Sequence, residues 1–110
     1  MKGRRYIVVF ITTPPGKGGA KIANFLIRRL LSACVNIVPV VSSIYRWKGK
    51  VETARESLLI IKTRGAVLKR LIAEVRKVHP YTVPEIISLP IPAGHKDYLR
   101  WVDENTRTRS

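Results

Sequence analysis

Thiolate and imidazole are the natural ligands of copper and zinc, and carboxylates suit harder cations. The chain offers one cysteine, two histidines and seven acidic residues for such work. Cys34 follows a helical apolar pattern and opens an extended one, a place that suits a small buried residue as well as a thiolate ligand. His79 stands two residues before Tyr81 and six before Glu85. At the end of a second helical pattern it reads either as a cap held by the helix dipole or as a ligand, with Glu85 and Cys34 completing the set. No CxxC, HxxxH or His-rich tract accompanies these residues, so the spacing itself writes no preformed metal site.

The loop PPGKGG follows an extended stretch and opens a helical one, the setting in which glycines and a helix N-terminus cradle phosphate. Gly16, Gly18 and Gly19 would bring the backbone close, and Lys17 would supply charge. Neither the Walker spacing nor GxGxxG is present, so a plain strand-to-helix turn accounts for the same residues.

The elements that must position these groups are marked by period and punctuation. Arg5 to Thr13 is β-branched and almost continuously apolar, as a strand covered on both faces should be, and Pro14, Pro15 and Gly16 end it. Ala23, Leu26, Ile27, Leu30 and Leu31 recur at helical spacing from about Gly19 onward. Val35 to Trp47 and Lys50 to Thr63 are extended and joined at Lys48-Gly49, with a bulge or bend expected at Pro39. In the tip, Ser43, Tyr45 and Trp47 share one face, and Ser42, Ile44 and Arg46 the other. Leu68, Leu71, Ile72, Val75 and Val78 mark a second helix, stopped at His79-Pro80. Glu85 to Ile91 gives a fourth strand and Lys96 to Asn105 a last helix.

Two helix-linked strand pairs with a long hairpin between them predict an α+β fold, a ferredoxin-like split βαβ sandwich forming a single domain over residues 1–110. At ~3.3 Å per residue each hairpin strand spans roughly 40 Å. A globule of this size is only ~30 to 35 Å across, taking a radius of gyration of roughly 13 Å. Part of the hairpin must therefore overhang its own body, and its unpaired edges call for other chains. The expectation is a homo-oligomer stitched together by the hairpin.

Composition sets further bounds. No apolar run reaches the ~18 residues of a membrane span, and the N-terminal apolar run reads as a strand, not a signal peptide. A lone cysteine fits a reducing compartment, which points to the cytoplasm. Twenty-one Lys and Arg against seven acids give +14, a balance that favours acidic partners. No Gln and only three Asn, with abundant Lys and Arg, hint at a heat-resistant protein.

The runs ACVNIVPVVSSIYRWKGKVE, LLIIKT, HPYTVPEII and YLRWVDENT resemble the CutA family of divalent-cation tolerance proteins, in order and over nearly the whole chain. The resemblance implies a ferredoxin-like homotrimer related in fold to the PII signalling proteins, with no enzymatic reaction. It also implies a role in tolerance of copper and other divalent cations, which would bind without being a required cofactor. Animal relatives are linked to membrane anchoring of acetylcholinesterase. The copper ligands it implies fall at Ile11, Val78 and His79, of which only His79 is a ligand type. Tyr45, Trp47, Tyr81 and Glu85 belong to the family-like runs, and with Lys62 they would line a cleft between neighbouring chains. There Lys62 either pairs with Glu85 or meets a ligand, for which an anion is the expected charge.

Three function classes follow. The first is a homotrimeric, non-enzymatic cation-tolerance protein or assembly module. The second is a PII-like sensor of an anionic or nucleotide metabolite. The third is a nucleic-acid binder, which has only the charge in its favour, because Lys and Arg are spread over every segment without an aromatic-rich RNA-binding signature.

Overall fold

The structure, a computed structural model, describes residues 5–107. Strand β1 (Tyr6–Thr13) leads through helix α1 (Lys17–Arg28) to the hairpin of β2 (Cys34–Trp47) and β3 (Lys50–Arg64). A 3₁₀ turn (Gly65–Val67) opens helix α2 (Leu68–Val78), and strand β4 (Ile86–Pro90) and helix α3 (Lys96–Glu104) complete the chain. The four strands form one antiparallel sheet in the order β2-β3-β1-β4. Each of the first two helices thus connects strands that have one other strand between them.

Alternation along β1 and β3 decides where the core sits. Ile7, Val9 and Ile11 on β1 and Leu59 and Ile61 on β3 are buried, and they pack with Ile22 and Leu26 of α1 and Leu71 and Val75 of α2. Each such side chain stabilises the fold by about 1.5–3 kcal/mol through its removal from water. Gly19 is what lets α1 lie this close, because a Cβ there would meet Thr13 Oγ1 at 3.1 Å. The expected α1 stripe is narrower than its spacing suggested. Ile22 joins the core, whereas Ile27 and Leu30 face solvent, Leu30 having left the helix with a φ of 59°.

The even-numbered residues of β1 and β3 form the other sheet face, and α3 covers one end of it. Tyr6 and Arg64 point there, bonding Asp103 and Thr106 respectively. Farther along, Ile87 and Leu89 of β4 are exposed beside half-buried Phe10 and Val8. Apolar strands that expose this face fit a sheet that meets another surface.

The hairpin overhangs as its length required. The β1–β3 pairing stops at Thr13 opposite Ser57, so among the described residues β3 from Lys50 to Glu56 has only β2 beside it. The molecule is 44 Å long and only 25 by 22 Å in section. The register shifts between Val38 and Val41, where Pro39 and Val40 bulge and the Pro39 carbonyl accepts the Ser57 hydroxyl at 2.7 Å. At the tip both Lys48 and Gly49 take positive φ, 50° and 79°, the backbone of a type I′ two-residue turn.

Candidate functional site

A cleft of about 830 Å³ lies where the arm leaves the body. The arm contributes Ser43, Tyr45 and Trp47 from β2 and Ala54 and Glu56 from β3, and β1 contributes Thr12 from its end. The connection from α2 to β4 closes the far side with Tyr81, Thr82, Val83 and Glu85. A volume of this size suits a small organic ligand.

His79 fixes that connection. Pro80 pushes it out of the helical region, to φ −77° and ψ 134°, while its own N–H still closes α2 on the Val75 carbonyl at 2.8 Å. Its ring then joins two segments. Nε2–H donates to the Thr12 carbonyl at 2.8 Å, and Nδ1 accepts the Tyr81 backbone N–H at 3.0 Å. A carbonyl accepts only and a backbone N–H donates only, so the tautomer is set by these partners. The ring also lies 4.7 Å from that of Tyr81, measured between centroids. Tyr81 in turn donates its hydroxyl to Glu56 Oε2 at 2.9 Å. Burial, and then the Glu56 carboxylate, push the Tyr81 phenol up to about 12.

The metal-ligand expectation is corrected by this geometry. Both nitrogens of His79 are engaged, and the ring is buried, so it has no lone pair to offer a cation. Cys34 lies opposite Lys62, whereas the Thr12 end of β1 lies opposite Leu58. Those positions are about 13 Å apart along β3. Glu85 is exposed at the cleft mouth. Cys34, His79 and Glu85 therefore do not converge, and among the described residues no three His, Cys, Asp or Glu side chains are placed to hold a metal ion. These residues do not fit a resident copper site within one chain.

Two further expectations change, at Cys34 and Lys62. Cys34 is not a core residue; it is half-buried on the α3 side of the sheet, where its thiol faces Tyr98. Burial first, and then that thiol, raise the Tyr98 phenol. Lys62 stays at the Cys34 end, where its ammonium donates to Asn36 Oδ1 and to the Ile60 carbonyl, so it neither pairs with Glu85 nor enters the cleft. The turn at Gly16 to Gly19 is accounted for by backbone and packing: Gly16 caps α1 with a φ of 87°, Gly19 sits against the sheet, and Lys17 and Gly18 complete the helix entry.

Two acids escaped the sequence reading. Glu56 is the polar residue directly before the buried run of β3, and only 8% of its surface is exposed. Asp103, 7% exposed, follows the buried Val102 of α3 and holds Arg5 at 3.1 Å, Arg64 at 3.7 Å and the Tyr6 hydroxyl at 2.8 Å. Burial alone would raise the Asp103 carboxyl. The bonds from Tyr6 and Arg5, with the charges of Arg5 and Arg107, outweigh it and hold the group below its ordinary value.

Set against known families, residues 7–105 match CutA1 divalent ion tolerance protein. The chain belongs to the CutA1 family. Among CutA relatives, the divalent-cation tolerance protein CutA of Thermus thermophilus is 48% identical over 99 residues, 90% of this chain and 96% of that one. The chloroplastic CutA of Arabidopsis thaliana is 48% identical over 101 residues, and the chain spans 56% of its length. The crystal structure of CutA1 from Oryza sativa superposes with a TM-score of 0.92 at 45% identity, covering 99% of this chain and 100% of that one. Four antiparallel strands and three helices are thus the family's architecture, and the cleft residues Tyr45, Trp47, Glu56, Tyr81 and Glu85 lie inside the matched span.

Proposed function

We propose that this CutA1-family chain is a homotrimeric, non-enzymatic divalent-cation tolerance protein working in the cytoplasm, its subunits ferredoxin-like and joined by the hairpin arm. The observation that carries this reading is the arm itself. Among the described residues no strand lies beside the outer edge of β3 from Lys50 to Glu56, and β2 is an edge strand over its whole length. Exposed Ile44, Val51 and Trp47 extend along the same segment. A soluble protein does not leave such a ribbon bare, and pairing it with sister copies satisfies its backbone. The strand order, with α1 and α2 packed on one face, supports the ferredoxin-like reading.

Cation handling in this reading needs no resident metal. Divalent ions meet single exposed ligands and weak combinations of them, which suits a buffering or assembly role better than a high-affinity carrier. The anion-sensing alternative loses its cation, because Lys62 lies outside the cleft while Glu56 and Glu85 lie inside it. Light scattering tests the assembly: a mass near three times 12.5 kDa is expected, persisting on heating, and a stable monomer would sink the proposal. Titration with Cu²⁺ tests the handling. Cys34→Ser is expected to lower uptake more than His79→Ala, and the opposite order would return the ion to the imidazole.

A further inference from the structure

We infer that the cleft between the hairpin arm and the α2–β4 connection is a receptor for an organic cation, a guanidinium or primary ammonium group, with Glu56 as its counter-ion. Every other acid withdrawn from solvent among the described residues has a basic neighbour. Asp103 holds Arg5 and Arg64, and half-buried Glu74 holds Arg29 at 3.1 Å and Lys77 at 3.2 Å. Glu56 is as deeply buried as Asp103, yet among the described residues no Lys or Arg lies within ion-pair distance of it. Its one side-chain partner is the neutral Tyr81 hydroxyl on Oε2. The chain has three basic residues for each acid, yet none of those described pairs with this carboxylate.

Burying a carboxylate without a counter-charge is costly. A cleft that does so offers that cost back to whichever cation enters. The remaining lining suits the same guest. Tyr45 and Trp47, 44% and 46% exposed, present aromatic rings to the opening, and such faces attract cations, guanidinium above all because it is planar and weakly hydrated. Thr12, Ser43 and Thr82 add hydroxyls able to accept N–H donors, and Glu85 places a second carboxylate at the mouth. Among the described residues no three His, Cys, Asp or Glu side chains converge here for a bare metal ion, and no positive side chain lines the cleft for an anion. All these residues belong to one chain, so agmatine binding by a monomer would uphold the inference while sinking the trimer.

A free small molecule or a basic side chain of a second copy could supply the same head group, and calorimetry with agmatine separates them. If the guest is free, agmatine binds saturably, one per chain. Glu56→Gln, which keeps the Tyr81 bond, then weakens it by at least about tenfold, and Tyr45→Ala weakens it less. If a second copy already fills the cleft, agmatine gives no heat with the wild type. In that case Glu56→Gln lowers the mass by light scattering or the melting temperature, and Glu56→Asp restores part of the loss. Equal agmatine affinity in wild type and Glu56→Gln would overturn the inference. So would the absence of agmatine binding together with an unchanged mass and melting temperature, or ATP binding that Glu56→Gln leaves intact.

Discussion

The two ends of the sheet face that α1 and α2 leave uncovered each bury one carboxylate, and they treat it in opposite ways. At the α3 end Asp103 is enclosed by Arg5, Arg64 and Tyr6, so charge and hydrogen bonds are settled within the chain. At the arm end Glu56 keeps a tyrosine, and among the described residues it has no arginine. The first arrangement closes a helix onto a sheet. The second holds a negative charge in a cleft open to guests, and the difference separates a stabilising contact from a recognition site at equal burial.

The comparison breaks most visibly at Asp103. Asp103→Ala leaves Arg64 without its acid and frees α3, so chemical denaturation should show a loss of roughly 1–3 kcal/mol. Glu56→Gln, which breaks no salt bridge among the described residues and keeps the Tyr81 bond, should cost less, and an equal loss at both sites would erase the contrast. Acid titration sharpens it next. The folded Asp103 carboxyl sits below its unfolded value, so its contribution is present above the ordinary carboxylate range and is lost as pH falls through the lowered value. Asp103→Asn should therefore flatten the acid limb of a melting-temperature profile.

A smaller effect is expected at the alkaline end. With the Tyr81 phenol at about 12, the neutral form is favoured by folding; that stability is whole below about pH 10 and is lost as pH rises toward 12. In Glu56→Gln the phenolate absorbance assigned by difference from Tyr81→Phe should appear at lower pH. It returns only part of the way, because burial is the larger cause and remains. The smallest change is expected from Lys62→Met, which removes a contact to Asn36 and nothing from the cleft, so agmatine binding should stay at the wild-type level.

Much of this architecture was legible in the residues. Proline and glycine punctuate every element, and α2 runs from Leu68 to Val78 as its apolar period and Pro80 required. The overhang followed from length alone. Tyr45, Trp47 and Tyr81 were named through the family-like runs, as lining a cleft between chains, and within the single chain they line the cleft beside the arm. Glu56 was not legible, since its enclosure depends on Tyr81, a residue 25 positions away that reaches it only through the turn at His79. That turn depends on Thr12, 67 positions from His79, which also removes the imidazole from metal chemistry. Lys62 was misplaced for a related reason. Whether it lies beside Glu85 is decided by the registers of β3 and β4 on β1, and no local pattern encodes those.

The two-for-one step at Pro39 and Val40 lets even-numbered residues of β2 below it and odd-numbered ones above it share a single face of the hairpin. Below it, partner numbers on β2 and β3 sum to 96, as in Val38 with Leu58; above it they sum to 97, as in Tyr45 with Glu52. That odd sum places Tyr45 and Trp47 on the same side as Glu56. A chain lacking Val40 would still set Tyr45 opposite Glu52, because the two-residue turn at Lys48-Gly49 fixes the register of the tip, but it would lose the local bend and added twist of the arm. The extra residue thus bends the arm, and the turn at its end decides which rings meet the cleft.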